Sequence, residues 1–116
     1  MRFIPDDPII YSAPSSNMDS EQKVFTSKLI KIALDVASGL RPLAHLSPRY
    51  FDPSILTHLS SWSRIHGRNN VRMWMKSLHA REDGEYFGTA ILGDKQFAFT
   101  GRLSAQQDKL RAFRLL

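Results

Sequence analysis

A chain of 116 residues, 42% of them hydrophobic and 23% charged, is long enough to bury one core, too short for two independent ones and too apolar to be disordered throughout. The absence of cysteine excludes disulfides, thiol nucleophiles, zinc ribbons and iron–sulfur clusters, so stability must come from packing, and it fits a reducing compartment. The formal net charge of +5 is unevenly placed: residues 1–60 carry six basic and six acidic side chains, residues 61–116 ten and five. The excess lies in the second half, where it favours nucleic acid, anionic lipid or an acidic protein as partner without choosing among them.

Residues 1–19 read as a flexible tail ahead of a single domain over residues 20–116. Pro5, Pro8 and Pro14 stand among Ser12, Ser15, Ser16 and Asn17 with no sustained period. Phe3, Ile4, Ile9, Ile10 and Tyr11 are more apolar than a spacer needs, so this tail has the means to pack on the domain, add to a sheet edge or dock on a partner. Only Arg2 precedes Phe3, Ile4 and Pro5, and Asp6 and Asp7 follow, which is not a signal-peptide pattern. The longest apolar stretch, Leu29 to Leu40, is interrupted by Lys31, Asp35 and Ser38 and is too short to span a bilayer. The expected location is the cytoplasm.

Asp19 with Gln22 three residues on has the form of a capping box and predicts a helix start. Phe25, Leu29, Ile32, Ala33, Val36 and Leu40 recur at steps of three and four, with Lys23, Lys28, Lys31 and Asp35 on other faces, which predicts an amphipathic helix of about five turns. Gly39 and then Pro42 supply its stop. Ser47–Pro48 and Asp52–Pro53 each pair a capping side chain with a residue whose missing amide costs nothing at a first helical position, and both read as helix starts. The second is the longer, with a stripe of Ile55, Leu56, Leu59, Trp62 and Ile65 closed by Gly67, Asn69 and Asn70.

From Val71 the pattern shifts toward period two, and strands are expected near 71–80, 85–93, 96–103 and 109–116. Glu82, Asp83 and Gly84, then Gly93 and Asp94, then Ser104 to Asp108 separate them with turn chemistry, so the sheet should be an antiparallel meander. Phe97, Phe99 and Gly101 alternate with Ala98, Thr100 and Arg102; Arg111, Phe113 and Leu115 alternate with Ala112 and Arg114. One face should be buried and the other basic and wet. Met73 and Trp74 fall on opposite faces, so one of them is left exposed or meets a helix or a partner. Helices first and then a four-stranded meander make an α+β fold with the long helix across the sheet, an order that looks like the cone-shaped domains of the nuclear transport factor 2 and cystatin-like type.

No glycine-rich phosphate loop, nucleophile elbow, paired histidines with a glutamate at metal spacing, or calcium loop occurs in the sequence. His45, His58, His66 and His79 are scattered. Asp35, Tyr50 and His79 are the residues that acid–base chemistry inside such a cone would use, and none has a supporting partner in the sequence. The reading is therefore not an enzyme, with no cofactor implied. Trp62, Arg64, His66, Arg68, Arg72, Trp74 and Lys76 interleave aromatic and basic residues, the mixture that single-stranded nucleic-acid sites use, and also what core tryptophans with a charged rim would show. Arg102, Arg111 and Arg114, with Lys95, admit the same two readings. Trp62, Arg64, Arg68, Arg72, Trp74, Lys76, Arg102, Arg111 and Arg114 form the candidate partner-binding set.

The run Ala37-Ser38-Gly39-Leu40-Arg41-Pro42, the following Leu43 and Leu46, the short helical pair, the basic stretch before the strands and the closing Leu110-Arg111-Ala112-Phe113 together resemble a family of small, uncharacterised actinobacterial proteins. In that family a variable proline-rich tail precedes a domain whose first helix ends in the same Gly-Leu-Arg-Pro type of turn. The likeness covers about 85 residues; it departs from the family in a shorter tail and in an opening strand that reads Val71-Arg72-Met73-Trp74. It implies a domain similar to nuclear transport factor 2, members often encoded close to the translocase ATPase SecA, and hence an accessory protein-binding role tied to protein export, with no catalytic residue carried over. The expected function is a non-enzymatic protein-binding adaptor; the alternative is a basic nucleic-acid or ribosome-associated factor. Self-association through the open sheet face or an edge strand is compatible with both.

Overall fold

The computed structural model of the chain describes residues 17–66 and 71–116. Two helices, α1 (Ser20–Ser38) and α2 (Pro53–His66), precede four strands, β1 (Trp74–Ala80), β2 (Glu85–Leu92), β3 (Lys95–Leu103) and β4 (Leu110–Leu115). The strands pair in chain order, each antiparallel to the next. The α+β class and the four-stranded meander are as the alternation and turn residues predict. Among the described residues no helix is long and apolar enough to cross a membrane.

Both helices lie on one face of the sheet, α1 against β1 and α2 against β4. Ile30, Ala33, Leu34 and Ala37 of α1, Ile55 and Leu59 of α2, and Tyr86, Ala90, Phe99, Phe113 and Leu115 of the sheet fill the core between them. Each large aliphatic side chain so buried contributes about 1.5–3 kcal/mol. The second half of α1 is buried over most of its circumference, including Asp35 and Ser38, because β1, α2 and the turn after the helix surround it. A stripe through Phe25, Ile32 and Leu40 misses this: Phe25 and Ile32 are only partly buried, Leu40 is exposed, and Thr26, Ile30 and Leu34 take the central places.

Gly39 ends α1 in the left-handed conformation, φ 92°, with its amide on Val36 O and that of Leu40 on Asp35 O. The capping box does not form: Asp19 makes no side-chain cap, and Gln22 Nε2 instead donates across the domain to Gln107 O at 2.7 Å. The turn after β3, where Gln107 stands at φ 58°, is thereby held from two sides, since the Gln107 Nε2 itself donates to Glu82 O at 2.7 Å. The expected helix at Ser47–Pro48 is a turn, in which Ser47 Oγ accepts only from the Arg49 amide, and the helical turn nearby is a 3₁₀ turn at Leu43–His45. Asp52 does start α2, its Oδ1 accepting from the Ser54 amide at 3.0 Å; the Ser54 amide and hydroxyl hold the Asp52 carboxyl below the usual carboxylate range.

Two bonds tie the loop before α2 to β4, Leu110 N–H to Tyr50 O and Asp52 N–H to Leu110 O, and a third ties the helix itself, His58 Nε2 accepting the Leu115 amide at 2.9 Å. Ile65, expected on the buried stripe, is 77% exposed; in the last turn of α2 it is Trp62 and His66 that pack on Phe97 of the sheet. The residues expected to close that helix, Gly67, Asn69 and Asn70, lie outside the described residues, as do residues 1–16 of the expected tail. The described end of that tail joins the sheet: Asn17 bridges Arg81 and the buried Met18 donates its amide to Ala80 O.

A candidate partner-binding sheet face

Among the described residues nothing covers the face of the sheet turned away from the helices. Its side chains follow from the register: Trp74 pairs with Ile91, Ser77 with Thr89, and His79 with Phe87 between β1 and β2, while Thr89 pairs with Ala98, Phe87 with Thr100, and Glu85 with Arg102 between β2 and β3. Thr100 pairs with Arg114, and Arg102 with Ala112, on β4. The alternation expected from sequence thus places Arg102 and Arg114 outward and Phe99, Phe113 and Leu115 inward. It also decides between the two residues left open: Met73 is buried and Trp74 is 65% exposed.

Aromatic and aliphatic surface runs across this face. The His79 and Phe87 rings stack across the β1–β2 pair at 5.0 Å with 24° between their planes, and Phe87 is 49% exposed. Beside them Ser77, Thr89, Ala98 and the 66% exposed Leu116 line a shallow depression of about 350 Å³. Ser77 and Thr89 bond each other through their hydroxyls at 2.9 Å, so the floor is fixed. Around it stand Lys76, whose Nζ donates to Gln96 Oε1 at 3.3 Å, Arg102, paired with Glu85, and Arg114. Three cations against one carboxylate leave the face cationic. The Arg72 guanidinium lies 6.0 Å from the Trp74 ring centre and 3.9 Å from Asp35 Oδ1, joining the edge of this face to the end of α1.

The candidate set divides accordingly. Trp74, Lys76, Arg102 and Arg114 share the uncovered face, and Arg72 borders it. Trp62 does not belong: it is 5% exposed, stacked on His66 at 4.3 Å and edge-on to Phe97 at 5.2 Å, a core side chain that no partner reaches. Its apolar neighbours on the helix face explain why. Arg64 is exposed on α2, beside Arg41 in a separate cleft of about 320 Å³ between the helices. Arg111 has the phase of the buried Phe113 and Leu115 rather than that of Arg114; the β3–β4 register shift between Arg102 and Leu103 falls at this residue, it is exposed, and its charge acts on Asp52. Arg68 lies outside the described residues. Phe87, His79 and Leu116 were not among the candidates; both phases of β2 are apolar, Tyr86, Ala90 and Leu92 against Phe87 and Ile91, so period two alone does not tell which side is wet.

The residues named for acid–base chemistry stand in three different surroundings. Asp35 accepts from Arg41 Nε at 3.2 Å, Tyr50 packs edge-on to Phe25 at 6.1 Å, and His79 lies on the uncovered face. Among the described residues no three histidine, aspartate or glutamate side chains come together as a metal site.

The chain matches no family model, no curated protein and no solved structure.

Proposed function

We propose that the protein is a non-enzymatic protein-binding module, and that its working surface is the uncovered sheet face. The observation that carries this is the pairing of exposed apolar rings and chains, Trp74, Phe87 and Leu116, with a cationic frame of Lys76, Arg102 and Arg114 on a rigid four-stranded scaffold. A partner segment that sets an apolar side chain over the Phe87 ring and carboxylates beside the arginines removes apolar surface from water and satisfies the charges together. The like charge of two such faces disfavours their pairing with each other and favours an acidic partner. The order of helices followed by a meander supports a nuclear transport factor 2-like or cystatin-like cone for the fold, and the resemblance described above supports an adaptor role beside the translocase.

The test is affinity purification of the tagged protein from its own cells, with and without nuclease, beside the Phe87→Glu variant. One protein recovered in stoichiometric amount after nuclease, and lost with the variant, is the expected result; recovery indifferent to the variant would remove this face from the function. The stacked His79–Phe87 pair among cations favours a second reading, a platform for single-stranded nucleic acid. It requires that recovery collapse with nuclease and that binding weaken steeply with salt and on neutralising Arg72, Lys76 and Arg114.

A further inference from the structure

We infer that the outer edge of β1 is a second docking site, one that takes an extended acidic segment of a protein partner by strand addition. It is separate from the uncovered face and does not depend on that face being a binding surface. β1 is an edge strand, and the edge already accepts a strand at one end, where Met18 N–H donates to Ala80 O at 3.0 Å and Asn17 bridges Arg81 antiparallel. The chain then turns into α1 at Ser20, so this pairing stops after one bridge. Because the outward-facing backbone groups of a strand recur at every second residue, Leu78, two before Ala80, also presents its amide and carbonyl outward. Among the described residues neither finds a backbone partner there.

The space beside that free edge is a groove of about 520 Å³ between β1 and α1. Val24, Met75 and Leu78 form its floor, and Val24 is 56% exposed. Lys23, Lys28 and Lys31 from successive turns of α1 form its rim, and among the described residues no acidic side chain lines it. A strand added to β1 alternates its side chains, so every second residue would lie over the apolar floor while the lysine ammonium groups, on long flexible stems, reach carboxylates along the same segment. The charge complementarity therefore selects a segment of about five residues with apolar or β-branched side chains at alternate positions and Asp or Glu beside them.

The probe is a fluorescein-labelled heptapeptide, Glu-Val-Glu-Val-Thr-Val-Glu, titrated into the full chain by anisotropy and by two-dimensional NMR, with its lysine-for-glutamate counterpart as control. Saturable binding of the acidic peptide alone is expected, with amide shifts centred on Met75, Leu78 and Val24. Binding should fall about tenfold in the triple variant Lys23→Glu, Lys28→Glu, Lys31→Glu and be unchanged in Phe87→Glu. The three lysines are exposed, so the triple variant should keep the wild-type melting curve, which the same samples report. No saturable binding, or shifts confined to the uncovered face, overturns the inference and leaves the lysines as guards against edge-to-edge pairing. Equal competition by oligothymidylate makes the groove a general anion site and overturns it too. Protection of the Leu78 amide from exchange that is lost on deleting residues 1–16 would assign the edge to the chain's own leader.

Discussion

The phenol of Tyr86 on β2 lies over Gly101, its register partner on β3, and donates to Ala112 O on β4 at 2.6 Å. A Cβ on Gly101 would meet the Tyr86 ring and the Ala112 carbonyl, and a Cβ on Gly88 would meet the Phe99 ring opposite it and Ser77 O. The two aromatic–glycine pairs sit diagonally across β2 and β3, each ring lying over the bare backbone of the neighbouring strand. Gly101→Ala should destabilise the protein by roughly 1–3 kcal/mol, as overpacking of a filled core does. Tyr86→Phe should cost about 1–2 kcal/mol, since it leaves the Ala112 carbonyl without its donor. Urea midpoints at unchanged slope are the check; a Gly101→Ala protein with the wild-type midpoint would show that both the Tyr86 ring and the Ala112 carbonyl give way at no cost.

His58 couples α2 to the last strand through an acceptor that exists only when the imidazole is neutral. Burial foremost, and the nearby Arg114 guanidinium, hold its pKa below the ordinary 6.5. The unfolded chain therefore binds the proton first as pH falls, and stability declines with it. The contribution of this residue is complete above about pH 6.5 and is lost as pH drops through the lowered folded-state value. His58→Gln keeps an acceptor and removes the titration, so wild type and variant should diverge between pH 7.5 and pH 5, the wild type losing more. Denaturation midpoints across that range decide it, and parallel curves would assign the acid sensitivity elsewhere.

The strand positions, the turns between them and the start of α2 at Asp52–Pro53 were legible because each rests on local chemistry: alternation, glycine or aspartate in a tight turn, a carboxylate ahead of proline. What was not legible depends on distant parts of the chain. Gln22 was drawn from its own helix cap by Gln107, 85 residues away. Trp62 reads as well in a basic stacking patch as in a core, and only the packing of Phe97 against it decides. Arg111 has the phase of the buried Phe113 and Leu115, yet it is exposed where one register shift interrupts the β3–β4 pairing. Phe87 could not be assigned to a face, since either phase of β2 is apolar enough to be buried.

Asp35 is a buried carboxylate whose partners come from two directions, Arg41 after α1 and Arg72 before β1. The Arg41 bond, at 3.2 Å, has hydrogen-bond geometry; the Arg72 approach, at 3.9 Å from a largely exposed guanidinium, does not. Arg41→Ala should cost on the order of 1–2 kcal/mol, Arg72→Ala less than about 0.5 kcal/mol. Asp35→Ala should exceed both, because it frees a buried site lined by two cations. A double-mutant cycle between Asp35 and Arg41, read by thermal and urea unfolding, gives the coupling directly; equal costs for the two arginines would contradict the geometry.

The two tryptophans report on opposite sides of the sheet, Trp62 at 5% exposure and Trp74 at 65%. Iodide should therefore quench only part of the native emission, and Trp74→Phe should remove the quenchable part while leaving stability within about 0.5 kcal/mol of wild type, as expected at an exposed site. Trp62→Phe should do the reverse: it leaves quenching intact and costs about 1–3 kcal/mol, since the His66 and Phe97 rings lose their partner. The same exposure makes Trp74 a sensor for the uncovered face. A partner seated over Phe87 and Lys76 should shield the quenchable component and shift it to the blue, and the acidic heptapeptide, bound on the other side of β1, should change it far less. Shielding of Trp74 by that peptide as strong as by a protein partner would mean that the face and the groove are one site.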